Sequence, residues 1–212
     1  YSGGLRMSVL MCIAVATVTW SSSPSRSTAS VRPRNIRAGP HATAASVEQA
    51  TSALERLCEA TPDNGVSAST ARQDAIRSAI SECEPFCERA PARIPLSGVY
   101  ELLYCSAQGG SNGKIGPFVG KVTQEFVDDV AFINAVSFFG GAVCLSLYAT
   151  REVIDDRSIR VTFKQTGVQL LGKELFRKDI TGSGVWKQQF VSEGAGLRAM
   201  LTPSVFVLRK VE

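Results

Sequence analysis

The spacing of apolar residues changes once along this chain, at a proline-rich connector between Pro85 and Pro95. Before the connector, apolar residues recur every three to four positions, which is the period of an amphipathic helix. One such stripe occupies residues 47–58 and a second occupies residues 76–83. At or shortly before the start of each stripe, two residues have the spacing of a helix capping box: Ser46 with Gln49, and Thr70 with Gln73. The pattern predicts two short helices that begin at these caps.

We interpret the two predicted helices as a structural cap that packs on the rest of the domain. A pair of amphipathic helices lying on a membrane surface is the alternative. Such helices carry an excess of Lys and Arg on their polar face. The polar faces of these two segments show no such excess, which favours the structural cap.

After Pro95 the period becomes two, as in half-buried β-strands. Leu96–Cys105 places Tyr100, Leu102 and Tyr104 on one face. The alternation is cleanest in a later segment: Ile159, Arg160, Val161, Thr162, Phe163 and Lys164. About eight or nine short strands, spaced about ten residues apart, predict an antiparallel barrel or sandwich. Closure into a barrel would remove the exposed sheet edges.

Glycine and aspartate mark the expected turns between these strands. Gly140–Gly141 and Gly182–Gly184 are two of the turn signals. Asp128–Asp129 and Asp155–Asp156 are pairs of adjacent carboxylates at strand ends. Adjacent residues on a strand point to opposite faces, so we expect these pairs to be turn residues and not a catalytic pair.

The charges set the first residues apart from the rest. Residues 1–47 contain five Arg, thirteen Ser or Thr, and no Asp or Glu. This composition is typical of an organelle transit peptide, and Val9–Trp20 has the length of a signal-peptide apolar region. A disordered basic tail, or one that binds nucleic acid, is the alternative. We expect a targeting segment over residues 1–45, a helical lead-in over 46–95 and a barrel domain over 96–212.

The remaining composition argues against several classes of function. From Glu48 onward the chain has 18 Lys and Arg against 19 Asp and Glu, with no basic stripe, so we expect no nucleic-acid partner. The single His, His41, lies in the predicted targeting segment. The folded part therefore lacks the commonest general base and metal ligand. Nucleotide-binding glycine motifs and a G-x-S-x-G motif are missing. We expect no catalytic residue, no metal site and no cofactor.

The cysteines leave alternatives open. Cys83 and Cys87 are separated by three residues, unlike the two-residue spacing of common zinc sites. We expect buried free thiols. A disulfide from Cys58 to Cys83 or Cys87, which would tie the two helices together, is the main alternative.

Two segments of the chain resemble a known family. Leu96–Ser106 reads LSGVYELLYCS and is similar to the opening strand of the plastid lipid-associated proteins, also called fibrillins. In that family a Leu-x-Gly pair precedes an aromatic residue, a Leu-Leu-Tyr run and a small hydroxyl residue. Leu197–Met200 and Ser204–Arg209 resemble the closing strands of the same family. Tyr100 stands where Trp is usual.

The resemblance implies a lipocalin-like antiparallel β-barrel in a plastid (chloroplast), associated with thylakoids or with the lipid droplets called plastoglobules. It implies binding or protection of prenyl quinones, carotenoids or other lipids, and peripheral association with a lipid surface. The family shares no catalytic residues that transfer to this sequence. The resemblance therefore implies a protein that is not an enzyme.

The alternation places eight aromatic and polar side chains on the expected inner face of the barrel: Tyr100, Tyr104, Phe126, Phe163, Trp186, Gln188, Phe190 and Arg198. An eight-stranded barrel has room either for side chains alone or for one small ligand, so a filled aromatic core is the alternative to a cavity. Gln124, Gln188 and Arg198 favour a cavity, because buried polar groups need partners. The head group of a ligand would supply them; for Arg198, an Asp or Glu side chain would do so equally.

Three functions fit this pattern. The first hypothesis is a carrier or protector of prenyl lipids or carotenoids. A long tail is favoured, since each buried CH₂ contributes about 0.8 kcal/mol against an association cost of about 4–15 kcal/mol. The second is a coat protein with a packed barrel. The third is an enzyme using an inward carboxylate, with Glu101 and Glu125 as candidates, although both alternate out of phase with the aromatics. Gln108–Gly120 is either a lid over the barrel mouth or an ordinary hairpin.

Overall fold

The computed structural model describes residues 44–107 and 110–211. The predicted targeting segment therefore lies outside the described residues, apart from its last two positions. The described chain forms two α-helices and ten β-strands: α1 (Ala44–Glu59), α2 (Thr70–Cys83), β1 (Gly98–Cys105), β2 (Lys114–Ile115), β3 (Phe118–Val119), β4 (Lys121–Phe126), β5 (Ala131–Phe138), β6 (Val143–Val153), β7 (Ser158–Leu170), β8 (Lys173–Val191), β9 (Leu197–Leu201) and β10 (Val205–Lys210).

Eight of these strands close into an antiparallel barrel in the order β1-β10-β9-β8-β7-β6-β5-β4. Strand β1 pairs with β4 and β10, and the other barrel strands pair with the strands next to them in sequence. The predicted fold class, a mainly β, lipocalin-like barrel preceded by two short helices, is confirmed. The two remaining strands, β2 and β3, form a separate small hairpin within the segment for which a lid and an ordinary hairpin were the two alternatives.

The helices lie close to their predicted positions, but their caps differ. Helix α1 begins at Ala44, so Ser46 lies inside it and is not the N-cap. The N-cap of α2 is Ser69, whose hydroxyl accepts a hydrogen bond from the Arg72 amide at 3.3 Å. The capping-box pattern thus located the start of the second helix to within one residue and failed for the first.

The helix pair covers one outer side of the barrel. The apolar stripes of both helices are buried together with outward side chains of β1, β8, β9 and β10, in the outer cluster: Leu54, Cys58, Ile76, Ala79, Ile80, Cys83, Leu103, Tyr104, Phe190, Leu197, Ala199, Val205 and Val207. The prediction of a structural cap is confirmed. Gly65, between the helices, packs directly against the ring of Tyr104.

Two β-bulges reverse the expected direction of two side chains. The register of β1 on β10 shifts between Leu102 and Tyr104, and that of β8 on β9 shifts between Gln188 and Phe190. An extra residue in a strand moves every following side chain to the other face. Tyr104 and Phe190 therefore lie in the outer cluster beneath the helices. Their prediction as barrel-lining residues was wrong.

The predicted turn at Gly182–Gly184 is also wrong, because β8 runs without interruption from Lys173 to Val191. Gly182 pairs with Phe163 of β7. A Cβ at Gly182 would lie 3.5 Å from the Phe163 ring, an ordinary van der Waals contact, so the packing does not require a glycine there. The actual β7–β8 turn lies at Leu171–Gly172.

The two ends of the barrel differ. The closed end carries the β4–β5 and β6–β7 turns, and segment 88–97 crosses it. Within this segment, the Ala92 amide donates to the Asp156 carbonyl at 3.0 Å, and Ala92 and Leu96 join the inner core. The opposite end, which we call the hairpin end, carries the β2–β3 hairpin and the β5–β6 and β7–β8 turns.

The two aspartate pairs are turn residues, as expected. The Asp128 carboxylate accepts hydrogen bonds from the amides of Val130 and Ala131, and Asp155 accepts from Arg157 and Ser158. These backbone donors hold the pKa of both carboxyl groups below the ordinary value. The pairs close the β4–β5 and β6–β7 turns.

The cysteines of the described residues are all free thiols, which agrees with the main expectation and not with the Cys58 disulfide. Cys58, Cys83 and Cys105 are buried. Burial raises the pKa of Cys58 and Cys105 to about 12, so these thiols stay protonated at neutral pH.

Gly65 provides a test of how the helices attach to the barrel. Gly65 has a φ of +92°, and a Cβ there would lie 2.7 Å from the Tyr104 ring and 2.8 Å from the Cys105 carbonyl oxygen. We expect Gly65→Ala to lower the free energy of unfolding in urea by about 3 kcal/mol, from backbone strain plus overpacking.

Gly116→Ala is the matched control, since Gly116 also has a positive φ (+58°) but nothing lies within 4 Å of the point that a Cβ would occupy there. Gly116→Ala should lower the free energy of unfolding only by the backbone strain, about 1 kcal/mol. Equal losses in the two variants would contradict the close packing of Tyr104 on the inter-helix segment.

Candidate functional site

The interior of the barrel contains a fully buried arginine. Arg198, on β9, has 0% of its surface exposed. Its Nη1 donates to Gln124 Oε1 at 3.0 Å and its Nη2 donates to Gln188 Oε1 at 3.3 Å. Gln124 lies on β4 and Gln188 on β8, so the guanidinium group connects β9 to its neighbour β8 and, across the interior, to β4. We call Arg198, Gln124, Gln188 and Tyr100 the arginine cluster.

Aromatic rings cover this guanidinium group. Its central carbon lies 5.1 Å from the centroid of the Tyr100 ring and 5.2 Å from that of Phe126. Cations are attracted to the faces of such rings. The rings continue across the interior, with centroid distances of 5.6 Å from Tyr100 to Phe126, 5.4 Å from Phe126 to Phe132 and 5.8 Å from Phe132 to Trp186.

The charge of Arg198 has no carboxylate partner among the described residues. Burial lowers the pKa of Arg198 to about 10, which still leaves the side chain protonated at neutral pH. Moving a charge out of water costs several kcal/mol, on the order of 3–5 kcal/mol when a buried partner is missing. The sequence allowed two partners for Arg198, the head group of a ligand or an Asp or Glu side chain. The described residues do not provide the Asp or Glu side chain.

The same cluster contains buried polar atoms without a hydrogen-bond partner among the described residues. They are Nε of Arg198, the hydroxyl of Tyr100 and Nε2 of Gln188. All three carry a hydrogen that can be donated. Gln124, in contrast, has partners for both of its polar atoms, since its Oε1 accepts from Arg198 and its Nε2 donates to Asn134 Oδ1 at 2.9 Å. The arginine cluster thus has a surplus of donors and needs an acceptor.

Six of the eight predicted lining residues face inward. Tyr100, Phe126, Gln188 and Arg198 are buried in the interior, and Phe163 and Trp186 pack against the inner core while half-buried. Tyr104 and Phe190 lie outside, as described above. Whether the six inward residues contact a ligand stays a prediction.

Solvent reaches part of the inward face toward the hairpin end. On β5, Phe132 is buried whereas Asn134 and Val136, further from the closed end, are half-buried. On β7 the inward residues Ile159 and Val161 are buried, and Phe163 is half-buried. Solvent therefore reaches the inner face at Asn134, Val136 and Phe163, while Phe138, Leu145 and Thr166 on the same face are buried.

One side of the barrel is also incompletely paired. Strand β9 pairs with β8 only from Lys187 onward, whereas β8 pairs with β7 from Lys173. Among the described residues, the part of β8 from Lys173 to Trp186 has a strand partner on one side only. Trp186 lies at the point where this gap begins.

Sequence reasoning missed two inward polar residues. Arg151 of β6 is 7% exposed and donates through Nε to the Asp129 carbonyl at 2.6 Å. It also reaches the Ile94 carbonyl at 3.4 Å, which ties β6 to the segment over the closed end. Asn134 accepts from Gln124. Both continue the alternation of their strands, so extending the predicted strands by two residues would have found Arg151.

The carboxylates considered for catalysis lie elsewhere. Glu101 pairs with Lys121 on the outside of the barrel at 3.3 Å, and Glu125 is exposed. Both are out of phase with the inward aromatics, as expected. In residues 44–107 and 110–211 no group of three or more His, Cys, Asp or Glu residues is arranged to hold a metal ion.

No helix in the described part of the chain is both long and apolar enough to cross a membrane. Comparison of the chain with protein-family models, with curated proteins and with solved structures found no match.

The stability of the arginine cluster is testable by substitution. Gln124→Leu removes an acceptor from a buried guanidinium group, so we expect it to lower the free energy of unfolding by about 2–3 kcal/mol. Replacing the whole cluster, in Gln124→Leu/Gln188→Leu/Arg198→Met, removes the buried charge together with its partners. This triple variant should be as stable as the natural chain or more stable by about 1–4 kcal/mol.

Gln165→Leu is the control, because Gln165 is on the outer face of β7 and donates to Asp179 at 2.7 Å. It should change the free energy of unfolding by no more than about 0.5 kcal/mol. A triple variant less stable than Gln124→Leu alone would contradict the view that the buried charge is a cost to folding.

Proposed function

We propose that this protein binds one hydrophobic molecule inside its barrel, with a hydrogen-bond-accepting head group at the arginine cluster and an apolar tail directed toward the hairpin end. The single observation that carries the proposal is the buried Arg198 with its surplus of donors. Folded proteins seldom leave buried donors unpaired, so the cluster is best explained by an acceptor that comes from outside the chain.

The distribution of burial supports the proposed orientation. The closed end is covered by segment 88–97 and packed by Leu96 and Ala92. Toward the hairpin end, Asn134, Val136 and Phe163 face inward yet keep solvent contact. A tail lying along these residues would cover surface that is otherwise wet. The aromatic series from Tyr100 to Trp186 would form the wall beside it.

We further propose a carrier or protector role without catalysis, in the manner of the plastid lipid-associated proteins. The likeness of Leu96–Ser106 and of the closing strands to that family supports this role, and the barrel is compatible with it. The composition of residues 1–47 supports plastid localisation. Prenyl quinones, carotenoids and other lipids are the proposed ligand class.

Quinone binding tests this function directly, because quinones quench nearby indole fluorescence. In a Trp20→Phe background Trp186 is the remaining Trp. We expect saturable quenching with one ligand per chain. Lengthening the tail should tighten binding by about 0.8 kcal/mol per CH₂, which is about tenfold for every two carbons.

Phe163→Gln, on the inner face, should weaken this binding about tenfold or more, by loss of apolar contact. Val185→Gln is the matched control: Val185 is on the neighbouring strand, 54% exposed and outward-facing. Circular dichroism checks that both variants fold. Absence of saturable quenching at every tail length would reject the proposal.

A second candidate function, attachment to a lipid surface, is favoured by a different observation. The turns at the hairpin end expose large apolar side chains, which we call the apolar tips: Phe118, Phe139, Leu170, Leu171, Leu175 and Phe176. Phe139 and Leu171 adopt positive φ values of 51° and 49°, at 67% and 76% exposure. Residues with such φ values are usually Gly or Asn. Large apolar side chains at these exposed positions therefore support a role in contact with a lipid surface.

The tips form one connected surface. The rings of Phe118 and Phe139 are 5.3 Å apart, and the Leu171 amide donates to the Ala142 carbonyl at 2.7 Å, joining the β5–β6 and β7–β8 turns. Lys114 and Lys173 are exposed in the same hairpins. Apolar tips beside lysines fit the interface of an anionic lipid layer, and attachment through them would turn the hairpin end of the barrel toward that layer.

Flotation with vesicles tests this second candidate. We expect the chain to float with vesicles of phosphatidylcholine and phosphatidylglycerol. Leu171→Asp should reduce binding about tenfold or more, since an inserted Leu contributes about 1.5–3 kcal/mol. Val130→Asp, at 55% exposure on the closed end, should have no effect. Equal loss in both variants, or no flotation of the natural chain, would refute attachment through the tips.

A further inference from the structure

We propose that the head group bound at the arginine cluster is a carboxylate, so that the ligand is a long-chain carboxylic acid in its ionised form. This inference rests on the proposed function and narrows its ligand class. A neutral quinone carbonyl or an alcohol would satisfy a donor of the cluster. Neither would balance the charge of the buried guanidinium group.

The first step of the argument is charge. Arg198 is 0% exposed, and both groups that it bonds, Gln124 and Gln188, are neutral amides. The nearest charged neighbour inside the barrel is another cation: Arg151 lies on the same aromatic ring, with its central carbon 5.6 Å from the Phe126 centroid. The Asp129 carboxylate approaches Arg151 at 3.8 Å. The described interior therefore has an uncompensated positive charge at Arg198.

The second step is the number and direction of donors. A guanidinium group has five N–H donors in a planar fork, and Nη1 and Nη2 each donate to one glutamine. Nε is unpaired, and it lies on the edge of the fork that pairs with two oxygens at once. A carboxylate has two such oxygens. Its remaining lone pairs match the hydroxyl of Tyr100 and Nε2 of Gln188.

The third step is access. The guanidinium group is covered by the rings of Tyr100 and Phe126, so a ligand reaches Nε only when a side chain turns aside. The Gln188 side chain can turn aside at small cost, because it makes one hydrogen bond, to Arg198, which is 3.3 Å long, and its Nε2 is unpaired. Rotamer changes of this size are common on binding. Gln188 also lies close to the gap in strand pairing. Trp186 marks the start of that gap on β8, and Gln188 follows it by two residues.

The test compares two probes that differ only in the head group, oleate and oleyl alcohol. Binding of each to the full chain is measured by calorimetry below the concentration at which oleate forms micelles. We expect oleate to bind about 10- to 100-fold more tightly than oleyl alcohol, as a charge-assisted hydrogen bond would give. Carbon-13 NMR of carboxyl-labelled oleate should show that the bound head group stays ionised to lower pH than the free acid.

Arg198→Met should remove the preference for oleate, because the alcohol loses only a neutral hydrogen bond, about two- to tenfold in affinity, whereas the carboxylate also loses its charged partner. Tyr100→Phe is a second variant that deletes only an unpaired hydroxyl, so its fold is not at risk; it should weaken oleate binding by severalfold. Arg160→Met is the control, because Arg160 is exposed on β7 and pairs with Glu152 at 3.2 Å. It should bind both probes as the natural chain does.

The outcomes separate this inference from the function on which it rests. Equal affinity for oleate, oleyl alcohol and a prenyl quinone, unaffected by Arg198→Met, would overturn the carboxylate and keep the hydrophobic ligand. Binding of none of the three would overturn both. Tight oleate binding that survives Arg198→Met and falls in Arg160→Met would place the head group on the outer surface and contradict the site.

Discussion

The structure is organised around one electrostatic constraint, a protonated guanidinium group enclosed by a barrel whose inner wall is largely aromatic and aliphatic. Arg198 is held by two glutamine carbonyls from strands on different sides of the interior and by the faces of two rings. Removing a charge from water costs several kcal/mol, and neutral partners return only part of that cost. An apolar residue would fill the position at less expense to folding. This cost to folding is the physical basis of our proposal that the polar cluster binds a ligand.

The rest of the fold closes one end of the barrel over this group and leaves several inward residues in contact with solvent toward the other end. Segment 88–97 closes one end, where Arg151 fastens β6 to the Asp129 and Ile94 carbonyls. The two helices cover the outside of the strands around Arg198 and bury Tyr104 and Phe190 against themselves. Toward the hairpin end, inward Asn134 and Val136 keep solvent contact, and the apolar tips project from the turns. The arginine cluster, these half-buried residues and the apolar tips thus follow one another along the barrel.

Much of this was readable from the sequence, and the failures have specific causes. The change of apolar period at the proline connector predicted both helices and the strand-rich domain. Alternation placed Tyr100, Gln124 and Arg198 together on the inner face, although they are far apart in the chain. The errors at Tyr104 and Phe190 come from two β-bulges. A bulge adds one residue to a strand and leaves no mark in its composition. At Leu103-Tyr104 and at Gln189-Phe190, the residue types are compatible with either face of the sheet, so the sequence does not reveal the shift.

Other features depend on tertiary contacts that the local pattern of a single sequence does not reveal. The glycines at Gly182–Gly184 resemble a turn, but they lie inside the long strand β8, where Gly182 pairs with Phe163 of β7. Periodicity does not show that Arg198 lacks a carboxylate partner, nor which inward side chains stay in contact with solvent. Both depend on which strands meet across the interior. The ligand class and the plastid setting remain proposals.

The most direct measurement of the central claim is the ¹H–¹⁵N NMR signal of the Arg198 Nε–H group in the full chain, assigned by its loss in Arg198→Met. If the barrel holds an acceptor-headed lipid at this group, adding oleate will shift the Arg198 Nε–H signal strongly and slow its exchange with water. Signals of surface arginines such as Arg160 will stay in place. An unchanged Arg198 signal at saturating oleate, with shifts confined to surface arginines, would contradict the account.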